Sequence, residues 1–171
     1  MKILIVSLPR TGSTSLMDKI SKEKNLKPIS EPFDERRTRT ELFTEDCVVK
    51  SIIKQHPHNV EDIVEWYYNF SLKFDELILL SRKDLQACWE SLSYFTYNEK
   101  YGFLSTSEYY WENNPNIDYA KNYILECNDM INALSKRTSV HIQYYEDLFD
   151  VNSPERLRKG NRRDLKIDKL I

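Results

Sequence analysis

The chain has few glycines, few cysteines and no long apolar run, and the last two shortages each exclude a class of protein. Three of its 171 residues are glycine and three are cysteine. Cys47, Cys88 and Cys127 lie far apart and form no CxxC pair, so we expect free thiols in a reducing compartment, without a disulfide framework or a zinc site. The apolar runs are too short for a membrane span, and the N-terminal one is too short for a signal peptide. The sequence therefore predicts a cytoplasmic protein that has no membrane partner.

The charge is nearly balanced overall but unevenly distributed. The net charge is −2, so the surface as a whole has no nucleic-acid footprint. With 40% hydrophobic and 30% charged residues, the composition is that of one soluble globular domain over residues 1–171. Residues 155–171, however, contain seven basic and three acidic side chains. Such a basic tail is either a solvated end or a segment that folds over a polyanionic ligand.

Apolar segments that suit strands alternate with segments of helical periodicity. The pattern predicts strands at 3–7, 47–53, 76–81 and 139–144, and helices at 14–24, 35–43, 60–74, 84–97 and 118–134. Strands that are almost continuously apolar belong to parallel sheets with both faces covered. We therefore expect a three-layer α/β fold with a central parallel sheet of about four to five strands. Its ligand site should lie at the carboxyl ends of the strands.

A Gly/Ser/Thr turn follows the first predicted strand and precedes the first predicted helix. This order predicts an anion site, because backbone N–H groups and the positive end of the helix dipole converge there. The ATP-binding version of such a loop has a Lys directly after its last Gly. Here Ser13 follows Gly12, and Arg10 precedes it. The loop is therefore P-loop-like without being an ordinary ATP loop. The simpler interpretation is a strand-to-helix turn in which Thr11 or Ser13 is the helix N-cap.

The segment Pro9–Thr14 resembles the 5′-phosphosulfate loop of the sulfotransferases that use 3′-phosphoadenosine-5′-phosphosulfate (PAPS). The resemblance implies in-line transfer of a sulfuryl group, with 3′-phosphoadenosine-5′-phosphate (PAP) as product and no metal ion. It also implies that Arg10 offsets the charge that develops on the leaving phosphate. The residues that would bind the 5′-phosphosulfate are Pro9, Arg10, Thr11, Gly12, Ser13, Thr14 and Ser15.

Two further segments resemble the family's 3′-phosphate site. Arg82 follows a predicted strand, and Ser91 lies on the next predicted helix. A guanidinium together with a hydroxyl suits a dianionic phosphate. The spacing is one residue longer than in most of the family, so Lys83 is an alternative partner for Ser91. In the tail, Arg158, Lys159 and Gly160 resemble a basic segment that clasps the same phosphate in the cytosolic branch. Tyr145–Leu148 (YEDL) also resembles the family, in which this stretch is largely architectural.

The residues on the acceptor side leave alternatives open. Glu31 lies in a stretch that resembles the general-base segment of carbohydrate and trehalose sulfotransferases. His56 resembles the histidine that deprotonates the acceptor in the cytosolic branch, and either side chain can take a proton. His56 and His58 have no evident third metal ligand, so no metal site is predicted. Either Lys50 or Lys54 could face the sulfuryl group.

The sequence thus predicts a sulfotransferase that moves the sulfuryl group of PAPS to a hydroxyl acceptor, either a carbohydrate or a tyrosyl or small alcohol. Two alternatives remain. One is a P-loop kinase or another ATP-binding module. The other is a catalytically degenerate sulfotransferase-like protein that binds nucleotide, in which both Glu31 and His56 would be dispensable.

Overall fold

A single five-stranded sheet forms the centre of the protein. The computed structural model describes residues 1–33, 45–54, 61–101 and 117–149, with the backbone alone for residues 94–101. The strands are β1 (Lys2–Ser7), β2 (Lys27–Ser30), β3 (Cys47–Ile52), β4 (Glu76–Ser81) and β5 (Ile142–Tyr144). Their order is β2-β3-β1-β4-β5, and every neighbouring pair is parallel. The predicted α/β fold with a parallel sheet is confirmed.

Helices cover both faces of this sheet. They are α1 (Ser13–Lys24), α2 (Ile63–Ser71), α3 (Leu85–Tyr101), α4 (Ile117–Thr138) and the single turn α5 (Tyr145–Leu148). One buried cluster joins the sheet to α1 and α5, and a second joins the opposite face to α2, α3 and α4. These are the three layers that the sequence pattern predicts. Among the helices of the described residues, none combines the length and apolar character needed to cross a membrane.

Strand β1 lies at the middle of the sheet because its side chains are apolar on both faces. Ile3 and Ile5 pack in the cluster under α1, whereas Leu4 and Val6 pack in the cluster under α2, α3 and α4. All four are fully buried, as a central parallel strand requires. The segment that follows β1 is therefore delivered to the middle of the sheet's carboxyl edge.

Strand β2 was not predicted, and its composition explains why. It contains Pro28, which is unusual in a strand, and Ile29 is its only buried residue. A proline is tolerated there because β2 pairs with β3 alone and lies at the edge of the sheet. Neither hydrophobic alternation nor a continuous apolar run is present in so short a segment. Pairing with β3 therefore decides its conformation.

Several predicted boundaries shift for local reasons. Helix α2 begins at Ile63 because the Asp62 carboxylate accepts a hydrogen bond from the Glu65 N–H (2.9 Å). Helix α4 continues to Thr138, and Ser139 then has a φ of 60°. Strand β5 consequently starts at Ile142, three residues later than predicted. The helix predicted at 35–43 lies outside the described residues.

Candidate functional site

The loop between β1 and α1 is anchored at the carboxyl edge of the sheet. The Leu8 N–H donates to the Leu80 carbonyl (3.1 Å), and the Ile53 N–H donates to the Ser7 carbonyl (3.0 Å). Within the loop, Arg10 and Gly12 have left-handed backbone conformations, with φ of 63° and 72°. The loop therefore lies between the ends of β3 and β4, where a parallel sheet binds ligands.

The start of α1 carries no side-chain cap. Gly12 is the N-cap residue, and neither Thr11 nor Ser13 caps the helix, so that simpler interpretation of the motif is wrong in its detail. The buried Thr11 hydroxyl instead donates to the Leu8 carbonyl (2.8 Å), which closes the loop on itself. The first N–H groups of a helix have no intrahelical acceptor, and α1 has no acidic residue in its first turn. This helix end therefore offers N–H donors and a positive dipole to an anion.

Gly12 lies directly against the turn that follows β5. A Cβ atom at this position would lie 2.8 Å from Phe149 Cζ and 3.0 Å from Tyr145 Cε2. The two rings stack on each other, with centroids 4.6 Å apart. Tyr145 and Phe149 thus form the floor of the loop. Sequence reasoning gave Tyr145 an architectural role and missed Phe149, although an aromatic pair at i and i+4 was a signal for it.

A first polar cluster, the Lys50 cluster, consists of Thr14, Glu31 and Lys50. The Lys50 ammonium donates to Thr14 Oγ1 (3.2 Å) and forms an ion pair with the Glu31 carboxylate. Lys50 is 4% exposed and Glu31 is 20% exposed. Three residues that were predicted separately from the sequence, on α1, after β2 and on β3, therefore lie in contact.

The two lysines near the end of β3, Lys50 and Lys54, lie on opposite faces of the sheet. Along β3, the side chain of Val49 lies in the cluster under α2, α3 and α4. Its neighbour Lys50 therefore lies on the α1 side of the sheet, beside the loop. Lys54 pairs with Glu126 of α4 and lies over the Tyr123 ring, with its Nζ 4.8 Å from the ring centroid. Lys50 is therefore the lysine that the fold brings to the loop.

Glu31 is bound to Lys50 through its backbone as well as its side chain. Its N–H donates to the Lys50 carbonyl (2.7 Å), which extends the β2–β3 pairing by one residue. Its φ is 50°, a left-handed conformation that a non-glycine residue rarely adopts. This conformation turns the carboxylate towards the Lys50 ammonium.

A second polar cluster, the Arg82 cluster, consists of Arg10, Arg82, Ser91 and Glu146. Arg10 Nε donates to Ser91 Oγ (3.1 Å), and Arg82 Nε donates to Glu146 Oε1 (3.3 Å). The Arg82 guanidinium lies 4.7 Å from the centre of the Tyr145 ring. The hydroxyl of Ser91 thus contacts Arg10 and not Arg82. The ammonium of Lys83, the alternative in the sequence, pairs with the exposed Asp147.

The electrostatics of the Arg82 cluster favour an anion. The pKa of Arg10 is lowered, first by partial burial and also by the nearby positive charge of Arg82, although Cys88 opposes the shift. The Cys88 thiol donates to the Pro9 carbonyl (3.0 Å), and burial raises the pKa of this thiol to about 12. Cys88 therefore stays neutral near pH 7 and supplies no negative charge to Arg10 and Arg82. An anion between these two guanidinium groups would relieve their repulsion.

Some predicted site residues fall outside the described part of the chain, namely His56, Arg158, Lys159 and Gly160. Pro9 and Ser15 lie in the loop and in the first turn of α1, as expected from the motif. In the ranges that the structure describes, no three His, Cys, Asp or Glu side chains converge as a metal site would require. The absence of a metal from the reaction remains a prediction.

The chain was compared with protein families, curated proteins and solved structures. No family model matches it, and no curated protein matches it. One similar solved structure is the YorR protein from Bacillus subtilis in complex with phosphorylated GDP. It has 13% identity and a TM-score of 0.45, with 84% of each chain covered. Another is a de novo designed protein with a P-loop NTPase fold, at 18% identity and a TM-score of 0.27, covering 84% of this chain and 100% of the designed one. At these scores neither likeness carries an argument about function.

Proposed function

We propose that this protein is a PAPS-dependent sulfotransferase that transfers the sulfuryl group to a hydroxyl acceptor. The Lys50 cluster is the observation that carries the proposal. It brings a buried ammonium, a hydroxyl in the first turn of α1 and a carboxylate together beside an uncapped helix N-terminus. Sulfuryl transfer needs these three functions, since an anion must be bound, a leaving phosphate stabilised and a proton accepted.

The β1–α1 loop would hold the 5′-phosphosulfate. The N–H groups at the start of α1 and the hydroxyls of Ser13 and Thr14 are the donors available to its oxygens. Lys50 and Arg10 would stabilise the negative charge that grows on the bridging oxygen as the S–O bond breaks. Such a cation costs little reorganisation when the protein already holds it in place, as Glu31 and Thr14 hold Lys50.

Glu31 is the side chain we assign as the general base. Its carboxylate lies at the same edge of the sheet as the loop and pairs with the cation that would contact the donor. The acceptor hydroxyl would pass its proton to this carboxylate as its oxygen attacks sulfur. His56 remains the alternative base. A carbohydrate hydroxyl is the acceptor class we favour, with a tyrosyl or small alcohol next, because the Glu31 segment resembles the carbohydrate branch.

The Arg82 cluster would bind the 3′-phosphate. Arg82 at the end of β4 supplies a guanidinium group and Ser91 on α3 a hydroxyl, and Arg10 of the β1–α1 loop donates to that hydroxyl. Lys50 lies on β3 and Arg82 directly follows β4, the strands on either side of β1, so the backbones that carry them lie two strand spacings apart, roughly 10 Å. That separation suits two anionic groups carried by one nucleotide. Arg158, Lys159 and Gly160 would add to this site from the tail.

ATP is the main competing ligand. Lys50 supplies a buried cation to the loop from the neighbouring strand, so the missing lysine after Gly12 does not by itself exclude a nucleoside triphosphate. A kinase would also need an acidic ligand for Mg²⁺ near the phosphates. Glu31 is a carboxylate beside the loop, and it is already paired with Lys50. Nucleotide binding without catalysis is the third possibility.

Calorimetric titration with PAP tests the proposal, with adenosine-5′-phosphosulfate and ATP plus Mg²⁺ as comparison ligands. We expect micromolar binding of PAP that depends on the 3′-phosphate and is lost in Arg82→Ala. Lys83→Ala is the matched control, because it removes the adjacent cation, which pairs with Asp147 away from Arg10. That variant should bind PAP as the wild type does.

A preference for ATP with Mg²⁺ over PAP would contradict the sulfotransferase proposal and favour a kinase. If PAP binds, transfer of labelled sulfuryl from PAPS to a panel of sugar and phenol acceptors separates an enzyme from a binding protein. Transfer that survives in Glu31→Gln and stops in His56→Asn would reassign the base.

A further inference from the structure

The cation that the donor requires already has an anion bound to it. In the described structure the Lys50 ammonium contacts Thr14 Oγ1 and the Glu31 carboxylate at once. Because Thr14 belongs to the first turn of α1, this ammonium lies beside the place where the helix end offers its N–H groups to an anion. An incoming phosphosulfate and the Glu31 carboxylate would therefore meet the same positive charge.

One buried ammonium cannot serve both anions equally. Lys50 is 4% exposed, so its interactions with charges are screened far less than those of a surface lysine. Two anions that share one buried cation repel each other and compete for it. Binding of the donor must then weaken the Glu31–Lys50 pair, and this pair must in turn weaken binding of the donor.

The carboxylate of Glu31 is held less firmly than that of Glu146 in the Arg82 cluster. Glu146 accepts hydrogen bonds from Arg82 Nε and also from the backbone N–H groups of Lys83 (2.9 Å) and Asp84 (3.3 Å). Within the described ranges, the Glu31 carboxylate contacts Lys50. Glu31 also has a left-handed φ of 50°, and backbone strain of this kind clusters at active sites, ligand clamps and switch regions.

We propose that Glu31 is a built-in counterion of Lys50 that the phosphosulfate of the donor displaces, so that donor binding frees the base for the acceptor. This inference rests on the proposed function. In the resting protein the carboxylate is paired with Lys50. Once the donor takes over the ammonium, the carboxylate can accept the acceptor's proton. The acceptor oxygen then forms its bond to sulfur, and the S–O bond to the phosphate breaks with its electron pair on the phosphate oxygen, beside Lys50.

The test measures anion binding to the full chain with two probes, PAP and inorganic pyrophosphate. The variants are Glu31→Gln, Lys50→Gln and the double variant, with Glu126→Gln as the matched control. Glu126 pairs with Lys54 at the end of the same strand but on the opposite face, so its loss changes the net charge equally. Thermal unfolding of each variant establishes that it is folded before its affinity is compared.

If Glu31 and the anion compete for Lys50, removing the Glu31 carboxylate improves anion binding. A purely structural role for Glu31 does not predict this improvement. We expect Glu31→Gln to bind both probes roughly tenfold more tightly than the wild type, the size of an ordinary pairwise coupling. Glu126→Gln should bind as the wild type does. In the double variant the gain should vanish, because there is no ammonium left to release. Equal or weaker binding by Glu31→Gln would overturn the inference, and so would a gain that persists without Lys50.

The two probes separate this inference from the proposed function. If PAP fails to bind but pyrophosphate binds more tightly to Glu31→Gln, the sulfotransferase proposal fails and the competition for Lys50 stands. If PAP binds with the expected 3′-phosphate dependence and Glu31→Gln has no effect, the proposed function stands and the competition is wrong. If neither probe binds the wild type or Glu31→Gln, no anion displaces Glu31 and the inference is overturned.

Discussion

The Lys50 cluster and the Arg82 cluster both pair a carboxylate with a cation at the carboxyl edge of the sheet, but their surroundings differ. Glu146 is held by Arg82 and by two backbone N–H groups, and Arg82 lies over the Tyr145 ring. Glu31 pairs with Lys50 within the described ranges and has a left-handed backbone conformation. The number of independent partners therefore distinguishes a carboxylate that fixes the fold from one that can exchange its partner.

The largest effect is expected from Gly12, where the floor of the loop meets the Arg82 cluster. Gly12→Ala would place a Cβ atom 2.8 Å from Phe149 Cζ and keep an unfavourable φ of 72°. The free energy of unfolding should fall by about 3 kcal/mol, since left-handed strain and overpacking add. Urea titration measures this. Combining Gly12→Ala with Phe149→Leu should recover part of the loss. A fall that stays below about 1 kcal/mol would mean that the aromatic floor yields easily.

The next effect separates the two lysines of β3 and its following turn. Lys50→Gln should weaken binding of pyrophosphate roughly thirtyfold, about 2 kcal/mol, because a charged donor to the anion is lost. Lys54→Gln removes an equal charge on the other face and should leave this affinity unchanged. Calorimetric titration of the two variants makes the comparison. Equal losses in both would show that overall charge, and not the Lys50 cluster, binds the anion.

A third prediction compares the two carboxylates directly. Glu146→Gln should lower the free energy of unfolding by about 1.5 kcal/mol, because several hydrogen bonds lose their charged acceptor. Pyrophosphate should raise the melting temperature of Glu146→Gln no more than it raises that of the wild type. In Glu31→Gln, by contrast, pyrophosphate should raise the melting temperature more than it does in the wild type, since the anion replaces the missing charge.

Asp147→Asn is the control for this comparison, because Asp147 is exposed and pairs with the exposed Lys83. Its melting temperature should match that of the wild type with and without pyrophosphate. If Glu146→Gln and Glu31→Gln respond alike to pyrophosphate, the distinction between a fixed and an exchangeable carboxylate is wrong.

The smallest effect concerns Cys88, which lies beneath the Arg82 cluster. Its thiol has a pKa raised by burial to about 12 in the folded protein, against an ordinary value of 9.0. As the pH rises, the thiol loses its proton in the unfolded chain before it does so in the folded protein. The contribution of Cys88 to the free energy of unfolding is therefore complete below pH 9 and is lost as the pH rises towards 12. Between about pH 8 and about pH 10, Cys88→Ala should lose about 1 kcal/mol less stability than the wild type. Identical losses in urea titrations at the two pH values would contradict this.

The prediction of the fold succeeded where the chain is apolar on both faces. Strands β1, β3 and β4 are buried runs, and the sequence gives their positions to within one residue. Strand β2 was missed because a short edge strand that contains Pro28 depends on its partner for its conformation. Capping by Asp62 set the start of α2 at Ile63, a local effect that the periodicity alone did not locate.

The candidate site could be predicted as residue types but not as contacts. The sequence singled out Thr14, Glu31 and Lys50 for separate reasons, and it left Lys50 and Lys54 as alternatives. Alternation along a strand says that neighbours face opposite sides, but it cannot say which side carries the loop. Likewise it paired Ser91 with Arg82 or Lys83, whereas the contact found is with Arg10.

The sequence by itself determined the alternation of strands and helices and the placement of a Gly/Ser/Thr loop before the first helix. These features follow from local periodicity and from backbone preferences that each segment carries within itself. Only the tertiary structure decided that Lys50 lies between Thr14 and Glu31, that Arg82 pairs with Glu146, and that Gly12 lies on Tyr145 and Phe149. Each of these contacts joins segments that are distant in the chain, and their meeting depends on the strand order β2-β3-β1-β4-β5. That order arises from how the buried faces pack together, which no single segment specifies.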